Sequence, residues 1–197
     1  VLLTLQQESD YIYLLGLYLG DGCISLVKTQ KNGQKVYRLR LFQNADYVNL
    51  IQKHIQSIKS LFPHNKIGVN KKKKSNCCVI SLYHTRLLNY FPQHGPGKKH
   101  NRAIELEEWQ KDLVLRHPKS FLTGLYESDG TRYKVNIKGY TYEYIDFTNM
   151  STDIHRLYKW ACSLIGVETK MYSNGKNQGP RKQSHVKLLT EFMLKKD

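Results

Sequence analysis

The chain has 197 residues, 40% of them hydrophobic, with 31 Lys and Arg against 16 Asp and Glu, a net charge of +15. That composition excludes wholesale disorder and suits a packed core in one large domain or two of roughly 100 residues. A basic surplus of this size points to a polyanion, above all nucleic acid, and the apolar run around Tyr11–Gly20 is about half of the ~20 residues a membrane helix needs. In chain order, Glu8–Gly20 reads as a helix ended by Asp21-Gly22. Cys23–Lys31 and Lys35–Gln43 read as strands around an Asn32-Gly33 turn. Asp46–Phe62 is an amphipathic helix with Val48, Ile51, Ile55 and Ile58 on one face. Lys66–Lys72 and Asn76–Tyr83 form a second strand pair, and Thr85–Phe91 a short helix. Pro92–His100 reads as a linker and Glu105–His117 as a junction helix. Lys119–Ser128 is then a helix, followed by two strands, a helix over Thr152–Ile165, two weaker strands and a last helix from His185.

The order αββαββα thus occurs twice, and the sequence repeats with it. Leu14-Leu-Gly-Leu-Tyr-Leu-Gly-Asp-Gly22 returns as Leu122-Thr-Gly-Leu-Tyr-Glu-Ser-Asp-Gly130. Phe42-Gln-Asn44 matches Phe147-Thr-Asn149, and His84–Phe91 matches His185–Phe192, in the same order. Two related α+β units are expected, residues 1–92 and 118–197, joined by residues 93–117. The charge is uneven between the halves: residues 1–100 hold 15 basic and 4 acidic side chains, residues 101–197 hold 16 and 12.

Each repeated helix carries small residues four apart, Gly16 and Gly20 in the first, Gly124 and Ser128 in the second. Four residues are about one turn, so each pair shares a face. A glycine inside a helix costs ~1 kcal/mol relative to alanine, and close backbone approach compensates. The two helices are therefore expected to pack together through these faces. Each ends in Asp-Gly, where the last carbonyls lack intrahelical partners and form the negative end of the dipole. A carboxylate beside free carbonyls is an oxygen-rich site for a hard cation such as Mg²⁺. If the helices lie side by side, Asp21 and Asp129 arrive together and call for a cation between them. For one copy alone a plain Asp-Gly turn would explain the motif; the duplication favours the metal site.

The four cysteines, Cys23, Cys77, Cys78 and Cys162, form no CxxC pair and fit no zinc spacing. They read as reduced thiols of an intracellular protein, and no targeting signal is recognisable.

LLGLYLGDG and LTGLYESDG resemble the paired motifs of the LAGLIDADG homing endonucleases, and the resemblance covers nearly the whole chain. The segment FPQHGPGKKH, followed by an acidic-Trp helix and the second motif, is similar to bacterial-type members. The first acidic position of the motif is Leu19 in copy one and Glu127 in copy two, while the last acid is present in both. The resemblance implies two pseudo-symmetric αββαββα domains with saddle-shaped antiparallel sheets around a central two-helix interface. It implies a monomer that lays each sheet into the major groove of double-stranded DNA. Asp21 and Asp129, helped by the carbonyls of Gly20 and Ser128, would hold two or three Mg²⁺ or Mn²⁺ ions. Phosphodiester hydrolysis would then leave a double-strand break with short 3′ overhangs in a long target, with no protein nucleophile.

Strand alternation tests where DNA would lie. Arg132, Lys134, Asn136 and Lys138 share one face, with Tyr133, Val135 and Ile137 on the other, read as core-facing. Arg38 and Arg40 oppose Tyr37, Leu39 and Leu41. Arg, Lys, Asn and Gln read base edges or hold phosphates. Expected DNA contacts are Ser25, Lys28, Lys31, Arg38, Arg40, Gln43, Lys98, Lys99, Arg132, Lys134, Asn136, Lys138, Arg181 and Lys182, with Lys71, Lys72 and Lys73 at a basic hairpin tip suited to phosphates. Gln43 is also the candidate for ordering water beside the metals, with Thr148 as its positional counterpart; Lys98, Lys99, His84 and His185 are further candidates. Two other readings compete. The same fold serves intron RNA maturases, which would make intron RNA a partner, and DNA-binding regulators that do not cut.

Overall fold

The computed structural model describes residues 3–193 and 196. Helix α1 (Leu5–Leu19) leads into strands β1 (Cys23–Thr29) and β2 (Lys35–Asn44), helix α2 (Val48–Leu61), strands β3 (Ile67–Lys71) and β4 (Cys77–His84), and the short helix α3 (Leu87–Tyr90). A 3-10 turn at Lys99–Asn101 and helix α4 (Glu108–Arg116) follow. The second unit runs α5 (Pro118–Asp129), β5 (Gly130–Ile137), β6 (Tyr140–Thr148), α6 (Thr152–Leu164), β7 (Thr169–Met171), β8 (Asn177–Pro180) and α7 (Gln183–Thr190). Two four-stranded antiparallel sheets result, ordered β1-β2-β4-β3 and β5-β6-β8-β7. The α+β architecture is thus built twice around the α1–α5 pair. No helix among the described residues is long and apolar enough to cross a membrane, and all four cysteines are free.

Local chemistry explains the element boundaries. Helix α1 begins before Glu8 because Thr4 and Gln7 form a reciprocal capping box, which satisfies two otherwise orphaned donors. The helix is buried without a break from Tyr11 to Leu19, so its apolar residues run all round it rather than in a stripe. Two of its three buried tyrosines are paired this way: Tyr11 donates to Tyr90 O at 2.6 Å and accepts from Gln110 Nε2 at 2.6 Å, and Tyr13 donates to Glu127. Glu107 and Gln110 cap α4 in the same reciprocal way, which starts that helix later than periodicity alone predicts. Pro118 then opens α5 at its first turn, where its missing N–H costs nothing.

Where β1 meets β2 and β5 meets β6, the pairing register shifts the repeat alignment by one residue. Cys23, two residues past Asp21, pairs with Arg40; Thr131, two residues past Asp129, pairs with Asp146. Arg40 and Asp146 are therefore equivalent there; at the far ends of β2 and β6 the pairing with β4 and β8 sets Asn44 opposite Cys77 and Thr148 opposite Asn177, so the offset between the two copies changes along the strand. A one-residue slip exchanges the two faces of a strand.

The same register overturns the face assigned to β5. Arg132 pairs with Ile145, which is 1% exposed in the core, and stands where Ile24 stands in the first unit. Its Nε donates to Glu143 at 2.7 Å and its Nη1 to Met193 O at 3.4 Å. Arg132, Lys134 and Asn136 thus share the side of the sheet that α6 and α7 cover. Tyr133, Val135 and Ile137 lie on the open side and are exposed. The physical reason is the length of the strands. β7 and β8 are only three and four residues long, so most of the β5–β6 hairpin projects past its neighbours, and no buried face exists there to select the apolar side. In the first sheet Leu39, Leu41, Ile80 and Leu82 face the helices and are buried, with Arg38 and Arg40 on the open side.

Candidate metal centre

The site grows from the approach of two backbones. A Cβ built at Gly16 would lie 2.6 Å from Phe121 O and 2.8 Å from Leu125 N. One built at Gly124 would collide with Tyr13 O and lie 3.0 Å from Leu17 N. At the C-terminal ends, a Cβ at Gly20 would collide with Ser128 Oγ and lie 2.9 Å from Asp129 Oδ2. Glycine is required at Gly16 and Gly124 by the neighbouring main chain, whereas at Gly20 the obstruction is the side chains of Ser128 and Asp129. The consequence is that the loop bearing Asp21 and the last turn bearing Asp129 end side by side.

Two lysines complete this end, one per helix. Lys99, on the 3-10 turn, donates to Leu19 O at 2.9 Å and Gly20 O at 2.5 Å, and also to Tyr18 O. Lys196 donates to Gly130 O at 2.7 Å and Ser128 O at 3.3 Å. Each ammonium also lies over the tyrosine at the equivalent helix position: Lys99 is 5.1 Å from the Tyr18 ring centre and Lys196 is 5.3 Å from that of Tyr126. Ammonium at a helix C-terminus offsets the dipole and the orphaned carbonyls together. Asn149 donates to Asp129 Oδ2 at 2.6 Å. In the first unit Gln43, almost fully buried, donates to Glu127 O at 3.3 Å.

The Asp129 carboxyl is raised to about 6, first by burial and then by the nearby Asp21 charge, against the pull of Asn149 and the lysines. Loss of hydration also raises Asp21, opposed by Lys99 and Lys196. Burial drives Lys99 down to about 8 despite both carboxylates, and it lowers Lys196 as well. Both carboxyls are thus raised, first by loss of hydration, with two lysines beside them pulling the other way. Their oxygens, with the carbonyls of Gly20 and Ser128, make an all-oxygen donor set that suits a hard divalent cation. Among the described residues no cluster of three or more His, Cys, Asp or Glu forms, so the carboxylate contribution to such a site is this pair.

Two cavities open on the paired helix ends. One of about 500 Å³ is lined by Asp21, Asp129, Lys98, Lys99, His94, Arg102, Thr148 and Asn149. The other, about 390 Å³, lies beside Ser128 and is lined by Gln43, Tyr126, Arg132 and Lys196. Lys99 and Asn149 serve the first, Lys196 and Gln43 the second, a pseudo-two-fold arrangement.

The acid at the first motif position has a different task. Glu127 is buried and bonded to Lys53 at 2.6 Å and to Tyr13, with His54 Nε2 at 3.7 Å. Burial works to raise its carboxyl, but the His54 imidazole and the Lys53 ammonium hold it below the usual range. It ties α1, α2 and α5 together beneath the centre. Glu127→Ala is expected to destabilise the fold by about 3 kcal/mol, because it leaves a lysine and a tyrosine hydroxyl without their partner. A chemical melt with an unchanged midpoint would contradict that role.

The remaining candidates divide. Ser25 and Lys28 lie on the open side of sheet one with Arg38 and Arg40, and Lys31 lies at its hairpin turn. Lys71 ends β3; Lys72 reaches to 5.0 Å over the Phe42 ring, with Lys73 exposed beside it. Lys138 forms the β5–β6 turn with φ 52°. Arg181 sits 5.0 Å over the Tyr172 ring, and Lys182 pairs with Glu168 at 3.0 Å. His84 and His185 are local caps, accepting from Arg86 N at 3.1 Å and Glu168 N at 3.2 Å; neither reaches the centre. Lys196, Asn149 and Arg102 were not singled out. Asn149 lies inside the repeated Phe-x-Asn segment, which could have flagged it; Lys196 lies beyond every repeated segment and carries no sequence signal.

No protein-family model matches the chain, and no curated protein matches it in sequence. Solved structures do match in fold. I-DmoI in complex with DNA and Mn superposes with a TM-score of 0.64 at 18% identity, over 96% of this chain and 98% of that one. The I-LtrWI LAGLIDADG homing endonuclease bound to target DNA gives 0.58 at 11% identity, over 95% and 85%. The N-terminal LAGLIDADG domain of DUF199/WhiA gives 0.54 at 11% identity, over 97% and 83%. With two sheets, a shared helix pair and near-complete coverage, the chain has the LAGLIDADG fold in its two-repeat form.

Proposed function

We propose that the protein is a site-specific homing endonuclease that cuts both strands of double-stranded DNA with divalent cations, acting as a monomer. The observation that carries this reading is the meeting of Asp21 and Asp129 at two converging helix ends, on one cavity, in a chain of net charge +15. Solved structures of this fold hold target DNA together with Mn or Ca.

The roles follow from position. Asp21 and Asp129, with the carbonyls of Gly20 and Ser128, hold Mg²⁺ or Mn²⁺. When bound, the cations polarise the scissile phosphates and favour hydrolysis by water. Lys99 and Lys196, which donate to these same carbonyls, would yield them to a cation and bind phosphate oxygens instead. Lys99, pushed down to about 8, can hold or release a proton near neutral pH. Gln43 and Asn149 orient water in the two cavities. Arg38, Arg40, Ser25 and Lys28 face the bases of one half-site, and Lys71, Lys72 and Lys73 hold backbone phosphates. One chain carries both halves, so each strand meets its own lysine and amide, and the break has short 3′ overhangs.

The test is sequencing of DNA ends after incubation of a randomised duplex library with Mg²⁺. Recovered ends should share one long sequence with a fixed short stagger. If an Asp21→Asn, Asp129→Asn double variant yields the same ends, the reading fails.

Protonation gives an independent check. Asp129 is raised from the ordinary 3.8 to about 6, so the metal-free fold binds an extra proton between these values and loses stability as pH rises through that window. Cation binding needs the carboxylate and therefore strengthens in the same direction. Mn²⁺ should raise the melting temperature clearly at pH 7.5 and little at pH 5. Equal shifts at both values would contradict the assignment.

A further inference from the structure

The open faces of the two sheets are chemically unlike. In sheet one Arg38 donates to Ser81 Oγ at 3.2 Å and lies 5.2 Å over the Tyr83 ring. The Nε of Arg38 and of Arg40 is buried without a hydrogen-bond partner among the described residues. These are donors awaiting acceptors. In sheet two the residue equivalent to Arg40 is Asp146, 6% exposed, and it accepts from Tyr133 OH at 2.8 Å and Tyr172 OH at 2.6 Å. Tyr144 stacks on Tyr133 with ring centres 5.5 Å apart and 16° between planes. Farther along the hairpin Val135 pairs with Tyr142 and Ile137 with Tyr140. Val135, Ile137 and Tyr140 are 37%, 43% and 70% exposed.

This apolar strip has basic margins at Lys138, Lys170 and Arg181, all exposed. Apolar centre and cationic edges match a major groove, with its base edges between two phosphate walls. Of the four bases, thymine alone presents a methyl group there; a G·C pair presents N7, O6 and an amino group. An apolar face leaves those groups dehydrated and unpaired, which is costly. Arginines with free donors suit guanine O6 and N7.

Building on the DNA-cutting function above, we propose that the second sheet reads its half-site through thymine methyl groups. The half-site under β5–β8 is rich in A·T pairs and depends on methyl contact; the half-site under β1–β4 is read at guanines by Arg38 and Arg40.

Duplexes selected from a random library in Ca²⁺ provide the test. One half-site should be A·T-rich. Replacing its thymines by uracil, which keeps every hydrogen-bonding group and removes only the methyl, should weaken binding about 4-fold per contacted methyl. The same replacement in the other half-site should have little effect. A Val135→Asn, Ile137→Asn variant, altered at two exposed positions, should bind thymine and uracil half-sites equally and select the same sequence in the other half. Selected duplexes without the A·T bias, or indifferent to uracil, overturn this inference and leave the endonuclease reading standing. Failure to select any duplex overturns both. A doubled mass in solution that the variant abolishes would make the strip a contact between two copies and would also overturn it.

Discussion

Asp129→Asn is expected to reduce DNA cleavage by at least about 10³-fold while leaving DNA binding intact. The amide keeps the shape of the carboxylate but loses the charge that a cation requires, and the loss falls on the transition state rather than on duplex affinity. The same holds for Asp21→Asn. The two substitutions should not multiply, because both ligands serve one centre. Stability should move the other way. Asp129 is raised to about 6 by burial and by Asp21, so at neutral pH its charged form opposes folding in the absence of a cation. The metal-free variant should therefore melt higher than the unaltered protein, and added Mn²⁺ should no longer raise its melting temperature. A variant that cuts normally, or melts lower, would show that Asp129 is a helix-end residue without a metal role.

The second large effect lies at the helix interface. Gly124→Ala is expected to destabilise the protein by about 3 kcal/mol, which for a chain of this size lowers the melting temperature by roughly 6–12 °C. Alanine would favour the isolated helix by ~1 kcal/mol, so propensity predicts the opposite sign. Packing decides, because the new Cβ meets main-chain atoms, Tyr13 O and Leu17 N, and not flexible side-chain tips. The helices would have to separate, which also moves Asp129 from Asp21. Cleavage should fall with stability even at temperatures where the variant is fully folded. Unchanged melting would mean that α1 and α5 do not approach as closely as Gly16 and Gly124 allow.

The parts of this architecture that local chemistry dictates could be read in the sequence. The Gly-x-x-x-small faces and the Asp-Gly ends are short-range patterns, and their duplication identified both helices and both carboxylates. Alternation in Arg132–Lys138 was equally visible, but alternation names two faces without saying which one helices cover. Lys-rich composition suggested the polar face for DNA; the short β7 and β8 and the Arg132–Glu143 pair instead leave Arg132 on the side of the helices. The Phe-x-Asn match keeps the shared Asn44 and Asn149 turns but not the pairing of Cys23 with Arg40 and Thr131 with Asp146, because a drift of register along the strands leaves no mark in the letters. Lys99 and Lys196 meet the helix ends from segments far away in the chain, and such convergence leaves no local pattern.

The pairing of Asp21 and Asp129 in one metal centre is tested most directly by anomalous diffraction from Mn²⁺ in crystals of the protein with a selected duplex. The account predicts anomalous peaks within coordination distance of both carboxylates, between the ends of α1 and α5. Manganese bound elsewhere, with both carboxylates bare and Lys99 and Lys196 still on the helix carbonyls, would contradict it.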